Sequence, residues 1–296
     1  MIRIQSLTKR YGQHLALDHL TVSIQPGDLY GLIGPNGSGK STTLRILTSL
    51  IQADSGTVQI MGQHPSKVLG KMGILFEYPH LYPYLSGWDH LVLWGSTNQR
   101  PSKSQVSEIA ERIGLQASIR RPVKKYSLGM KQRLLIGAIL LRNPQVYLLD
   151  EPTTGLDQEA IHYLHHLLKE EAARNKTVLI TSHTLSDLQG VVNRIGILAR
   201  GKLVVDERLD NLLHAKDQYS ITFAAGKMEQ AINFLHQHPH VRVLKHTGLT
   251  ANIYLEQMEM EALLQALYQV QLIPIEFKRH SYTLEDIYTL HTGGSA

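Results

Sequence analysis

The chain has 296 residues, 43% of them hydrophobic and 19% charged, a balance that excludes general disorder or a collagen-like repeat and leaves room for one large domain or two unequal ones. Thirty Lys and Arg against 25 Asp and Glu give a formal charge of only +5, too small and too scattered for a nucleic-acid-binding stripe. Cysteine is absent, so disulfides, thiolate metal sites and a thiol nucleophile are all excluded.

Residues 2–24 carry apolar positions in short runs broken by Gly12, the pattern of a strand meander. The opening stretch MIRIQSLTKRYG lacks the apolar core of a secretory signal. The apolar run DLYGLI at 28–33 predicts a strand, and Leu44, Leu47 and Leu50 continue as a helix from Lys40. Short strands follow at 57–60 and 73–76. Between about 86 and 142 the period is helical, with Val106, Ile109 and Ile113 and then Leu134, Leu135, Ala138 and Leu141 on repeating faces. The apolar stretch 134–141 is far shorter than the roughly 18 residues of a membrane span, so the chain is expected to be cytoplasmic, with any span supplied by another chain.

A strand at 145–149 ends on carboxylates. It is followed by a helix with Ile161, Leu164, Leu168 and Ala172 inward, a strand at 177–180, and a hairpin of 195–199 with 203–205 turning at Arg200, Gly201 and Lys202. Strands alternating with helices predict a largely parallel sheet. After 215 the pattern restarts with a strand at 219–223, a helix at 228–237, strands at 241–245 and 253–256, a helix at 259–271 and a strand at 273–277. This β-α-β-β-α-β order predicts a small ferredoxin-like α+β domain, with a last helical segment at 284–290. The expected division is therefore 1–215, with a helical subdomain at about 86–142, and 216–296.

Residues 34–41 read GPNGSGKS and match G-x-x-x-x-G-K-[ST] between an apolar strand and a helix, the context that motif requires. Gly34, Gly37 and Gly39 let backbone N–H groups curl around a phosphate, and Pro35, Asn36, Ser38 and Thr42 complete the loop and first helical turn. Lys40 is placed to reach the β and γ phosphates and the Ser41 hydroxyl to ligate Mg²⁺. Asp150, ending a buried strand, is placed to hold the metal through its water shell, and the adjacent Glu151 to polarise an attacking water.

With these motifs in this order, the chain resembles the nucleotide-binding subunit of ATP-binding cassette (ABC) transporters over about residues 2–215. The resemblance implies an α/β P-loop NTPase fold of ABC type, a mixed sheet core with a helical subdomain. It implies that Tyr11 stacks on adenine, that YSLGMKQ at 126–132 is the signature segment, that Gly155, Leu156 and Asp157 form the D-loop, and that His183 is the switch histidine. Ser127 and Gly129 precede a helix expected to begin near Met130, so hydroxyl, amide and helix dipole converge on one γ-phosphate. By resemblance that phosphate belongs to ATP on the other subunit of a head-to-tail dimer, either a homodimer or a pair with a related ATPase.

Leu128 and Met130 replace the usual small signature residues, and Glu77 stands where the family has the Q-loop glutamine, beside the γ-phosphate and metal. With the phrase YSLGMKQRL, these departures resemble the subgroup exporting peptide antibiotics such as bacitracin or lantibiotics. ATP hydrolysis with Mg²⁺, a separate membrane-spanning permease and a peripheral place on the cytoplasmic face of the membrane are then implied, with no nucleic-acid partner. Two rivals stand beside this reading. One is a soluble ABC ATPase acting on ribosomes or DNA, although the paired cassettes or coiled-coil arms usual there are absent from the sequence. The other is an ATP-dependent sensor whose 216–296 domain binds a ligand.

Three clusters lie outside the motifs. Phe76, Tyr78, Tyr82, Tyr84, Trp88 and Trp94 suit either a groove for a partner's helix or the helical subdomain's own core. Arg120, Arg121, Lys124 and Lys125 read as a solvated basic face. His162, His165 and His166, like His236, His238 and His240, read as polar surface rather than metal ligands.

Overall fold

The structure is a computed structural model that describes residues 1–76, 81–96, 100–184, 187, 188, 190–213, 218–255 and 260–279. Glu77, Tyr78 and the segment 284–290 lie outside the described residues. The described chain forms two compact units that divide between Leu209 and Asp210.

In the first unit, β1 (Ile2–Tyr11) and β2 (His14–Ile24) form an antiparallel hairpin running from Ile2 opposite Ile24 to Tyr11 opposite His14. Alternation puts Ile2, Ile4, Leu17, Val22 and Ile24 inside, and β4 (Ser55–Ile60) pairs along the other edge of β1. A second sheet has six strands in the order β5-β6-β7-β3-β8-β9. Its members are β3 (Leu29–Ile33), β5 (Met72–Leu75), β6 (Val146–Asp150), β7 (Thr177–Ser182), β8 (Arg194–Ala199) and β9 (Lys202–Arg208). Every position of β3, β6 and β7 is buried, the signature of parallel strands covered on both faces. Only β9, on the edge, pairs antiparallel and alternates between exposed and half-buried positions. Because β6, β7 and β3 are parallel neighbours, the segments after them emerge at one rim of the sheet, where ligands of open α/β sheets bind.

Helix α1 (Lys40–Leu47) buries Leu44 and Leu47 and stops at Thr48. Leu50, expected on its apolar face, lies past the end and is 63% exposed. The helical subdomain consists of α2 (Gly87–Gly95), α3 (Lys103–Arg112) and α4 (Leu128–Leu141). Capping boxes of Ser86 with Asp89 and Ser102 with Gln105 fix where α2 and α3 begin. Helix α5 (Gln158–Ala173) buries Ala160, Leu164, Leu167, Leu168 and Glu171. The inward face is therefore rotated from the expected one: Ile161 and Ala172 are only half-buried, while a carboxylate lies inside.

One turn, α6 (Leu209–Leu213), spans the division between the units. The second unit runs β10 (Gln218–Thr222), α7 (Met228–Gln237), β11 (Val241–Thr247), β12 (Thr250–Leu255), α8 (Met260–Gln269) and β13 (Glu276–Arg279). Its sheet is antiparallel throughout, in the order β11-β12-β10-β13, over a core that includes Ile221, Phe223, Leu235, Ile253, Leu263 and Leu267. The last strand begins three residues later than the expected 273, and Ile273 and Ile275 are 58% and 68% exposed.

Candidate functional site

The loop between β3 and α1 is held from behind. The amide of Gly34 donates to the Ser182 carbonyl at 3.3 Å, and Gly201 of the β8–β9 turn donates to the Ser38 carbonyl at 3.1 Å. Two positions admit only glycine: a Cβ on Gly34 would stand 2.3 Å from the Leu198 carbonyl oxygen, and Gly39 adopts φ 113° with its Cβ direction 2.5 Å from the Ala16 carbonyl oxygen. No side chain caps α1, so the amides of its first turn are left for a ligand. The buried Ser38 hydroxyl likewise has no hydrogen-bond partner among the described residues. Lys40, 5% exposed, donates to the carbonyls of Gly34 at 2.7 Å and Pro35 at 3.3 Å, and its Nζ lies 3.7 Å from Glu151 Oε1. A buried cation held by carbonyls of the loop it serves is poised for exchange onto phosphate oxygens.

These groups line a cleft of about 430 Å³ bounded by Tyr11, His14, Ala16, Asn36, Gly37, Gly39, Lys40, Ser41, Thr42, Glu151, Thr154 and His183. Gly34, Pro35 and Ser38 stand behind that lining and shape it. The Tyr11 ring is 45% exposed at the cleft, open on the side a stacking base would need. Asp150 ends β6, 5% exposed, and its Oδ1 accepts from Thr181 Oγ1 at 2.6 Å and from Ser41 Oγ at 3.4 Å. Ser41 and Asp150 thus converge as a hard-oxygen pair suited to Mg²⁺. Glu151 turns back into the cleft at φ 46°, an uncommon conformation for a residue other than glycine. His183 Nδ1–H donates to Glu151 Oε2 at 2.6 Å, and the Thr154 hydroxyl approaches the same oxygen at 3.4 Å.

The signature segment differs from expectation in one respect. Ser127, not Gly129, is the last residue before the helix: its hydroxyl accepts the Met130 amide at 3.2 Å, and Gly129 lies inside the first turn of α4. A serine N-cap satisfies its own helix first, which starts α4 two residues early. Asp157 likewise caps α5 through the Ala160 amide at 2.9 Å. None of Ser127, Gly129 and Asp157 lines the cleft, and Glu77 lies outside the described residues.

Three site side chains, those of His14, Thr154 and Thr181, escape the sequence reading, and Gln132 reads there only as the end of the signature segment. His14 is the cross-strand partner of Tyr11, a signal visible in the hairpin once its turn is placed at Gly12. Thr154 follows Glu151 by three residues in the same turn. Gln132 donates from α4 to the Pro152 carbonyl at 2.8 Å, tying the signature helix to the turn beyond Glu151. Thr181 reads in the sequence only as a β-branched strand former.

None of the described aromatics of this segment is fully buried in a core of the helical subdomain. Phe76 and Trp94, with Ile74, Leu93, Leu135, Ala138, Ile139 and Arg142, line a groove of about 480 Å³. Trp88 packs beneath the Arg120 guanidinium at 3.7 Å, and Tyr84, 78% exposed, lies under Lys124 at 4.9 Å. Of the histidines, burial pushes His165 below its ordinary pKa, and His166 pairs with Glu170 at 3.4 Å. No group of three metal-ligating side chains gathers among the described residues.

Residues 17–154 match a protein-family model described as ABC transporter. The chain is 36% identical over 246 residues to the bacitracin transport ATP-binding protein BcrA of Bacillus licheniformis, covering 80% of this chain and 79% of that protein. It is 38% identical over 211 residues to the lantibiotic transport ATP-binding protein SrtF of Streptococcus pyogenes, covering 71% and 92%. A solved dimeric ATP-binding cassette in a post-hydrolysis state, bound to ADP and Pi, superposes with a TM-score of 0.63 at 26% identity, over 71% of this chain and 99% of that one.

Proposed function

Because the chain belongs to the ABC transporter ATP-binding family and is an ATPase of that kind, we propose that it powers a separate membrane-spanning permease exporting a peptide antibiotic or an amphipathic drug. The observation that carries the permease reading is the apolar groove of Phe76, Leu93 and Trp94, whose member Phe76 immediately precedes Glu77, the position that the family resemblance sets beside the γ-phosphate. Such a groove suits an apolar helix of a partner better than it suits solvent. No helix among the described residues is long and apolar enough to cross a membrane. In this reading the chain is held on the cytoplasmic face of the membrane by its permease.

In the hydrolytic reaction, Lys40 passes from the Gly34 and Pro35 carbonyls to the β and γ phosphates, which the Gly37 amide and the amides of the first turn of α1 surround. Tyr11 supports the adenine ring. Glu151 accepts a proton from water as that oxygen bonds to the γ-phosphorus and the bond to the leaving ADP oxygen breaks, and His183 holds the carboxylate in line. Ser41 and Asp150 would hold Mg²⁺, which when bound offsets charge on the phosphate oxygens. The fit rests on the uncapped α1 amides, the Ser38 hydroxyl that has no hydrogen-bond partner among the described residues, and the oxygen donors at the cleft. Ser127, Gly129 and Asp157, absent from the chain's own cleft, face the ATP of a second ATPase subunit in a sandwich dimer.

The test is detergent co-purification with a candidate polytopic membrane protein. Leu93→Arg, at a position 49% exposed, is expected to abolish capture of the permease and to leave ATPase activity of the isolated subunit unchanged. Stable binding to ribosomes or DNA, with no membrane protein recovered, would overturn the transport reading. For Glu77, the carboxylate in place of the family's amide is read as adjusting coupling rather than serving as base. Glu77→Gln is therefore expected to keep hydrolysis within about tenfold, roughly 1.4 kcal/mol of barrier, while impairing resistance in cells. Loss as deep as that of Glu151→Gln would make Glu77 the base instead.

A further inference from the structure

Strand β7 carries Thr181 opposite Asp150 in the parallel pairing with β6, and its side chain is fully buried at the strand's end. A threonine hydroxyl has one proton to give and lone pairs to accept with. Here both capacities are used, and on two different site residues. The proton goes to Asp150 Oδ1 at 2.6 Å, and the oxygen accepts the amide N–H of Glu151 at 3.1 Å. One buried atom therefore bridges the carboxylate suited to the metal and the backbone of the carboxylate suited to the water.

Two further observations give that bridge a purpose. Glu151 is held at φ 46°, a conformation that persists in a residue with a Cβ only where the surroundings fix it, and the Thr181 hydroxyl and carbonyl both accept its amide. Among the described residues, the other hydroxyl on Asp150 Oδ1 is that of Ser41, at 3.4 Å, too long to orient the carboxylate as firmly. Valine would fill the same volume and keep the β-branched strand preference, so neither packing nor propensity accounts for threonine at this position.

We propose that Thr181 is a positioning residue for ATP hydrolysis, its hydroxyl setting Asp150 and Glu151 in a fixed relation to each other. The proposal rests on the assignment of those two carboxylates to the reaction. Loss of one hydrogen bond to a charged group predicts a fall in kcat of about tenfold for Thr181→Val. Because an outer partner of a metal ligand is removed at the same time, the Mg²⁺ concentration for half-maximal rate should rise by about tenfold. Binding of a fluorescent ATP analogue in EDTA, which does not draw on Asp150, should stay within about twofold, since the Lys40 loop is untouched.

Thr181→Ser restores the hydroxyl and is expected to hydrolyse within about threefold of the native chain, a recovery that a role in packing alone would not produce, because serine lacks the methyl. The experiment measures kcat, Mg²⁺ dependence and EDTA binding for both variants beside Glu151→Gln. With Glu151→Gln inactive, native kinetics in Thr181→Val, or equal losses in the valine and serine chains, would overturn the proposal. A fully active Glu151→Gln would overturn the underlying assignment instead. Should the valine chain fail to bind nucleotide in EDTA, Thr181→Ala, which leaves room around Asp150, is judged by the same criteria.

Discussion

Replacing Glu151 by glutamine is expected to lower steady-state ATP hydrolysis by about 10²- to 10⁴-fold while leaving nucleotide affinity close to native. Glutamine keeps the shape and the contact distance of the carboxylate but cannot accept the proton of the attacking water. The surrounding groups make that loss hard to replace. His183 stands 2.6 Å from Oε2 and Lys40 Nζ 3.7 Å from Oε1, so the cleft holds a cation and a histidine around this carboxylate. ATP binding depends on the Lys40 loop and α1 amides, which stay in place; the substitution alters only the charge opposite Lys40 and keeps an oxygen there. The variant should therefore accumulate with ATP bound, and size-exclusion chromatography with MgATP should show a dimer that native chains form only transiently. A variant that turns over at the native rate would remove Glu151 from the reaction.

The legible parts of this molecule are those whose signal is local in the chain. The P-loop is eight consecutive residues with a strand before it and a helix after it, and the structure places that strand at Leu29–Ile33 and that helix from Lys40. Asp150 and Glu151 are readable for the same reason, as polar residues that abruptly end an apolar strand. Contacts across the sheet are not readable in this way. Thr181 belongs to the site only because β7 lies beside β6, a pairing that joins residues 31 positions apart. The start of α4 is also a local signal, since Ser127, three residues before Met130, reads as an N-cap or turn as well as a phosphate contact, and as N-cap it sets the first helical residue at Leu128. Apolarity also misled where burial fails: Ile273 and Ile275 read as strand but precede β13 and stand exposed.

The same logic explains the rotated face of α5. Periodicity assigns Glu171 to solvent because a charged residue is rarely buried without partners. Its partners come from elements distant in sequence. Glu171, 1% exposed, accepts from Arg112 of α3 at 2.8 Å, Arg174 at 3.0 Å, Lys176 at 2.7 Å and the Tyr147 hydroxyl of β6 at 2.5 Å. The carboxylate thereby joins the helical subdomain to α5, β6 and the entry to β7.

Burial by itself would raise the Glu171 carboxyl, but hydrogen bonds from Lys176, Tyr147 and Arg112 outweigh it and hold the group down at about 2, against an ordinary 4.5. A folded-state value below the unfolded one means stability that is fully present above about pH 4.5 and is lost as the pH falls toward 2. Glu171→Gln removes that charge while leaving the nearly buried Lys176 and the half-buried Arg112 beside a neutral amide. Breaking a buried pair on one side costs about 3 to 5 kcal/mol, so the variant should unfold at markedly lower denaturant at neutral pH. It should also lose the part of the acid destabilisation that Glu171 contributes between about pH 4.5 and 2, because that titrating group is gone. Both tryptophans, Trp88 and Trp94, lie in the first unit, so their fluorescence follows unfolding of that unit separately from the second. A variant with the native midpoint at pH 7 and an unchanged acid limb would show that Lys176, Arg112 and Tyr147 are satisfied without the carboxylate.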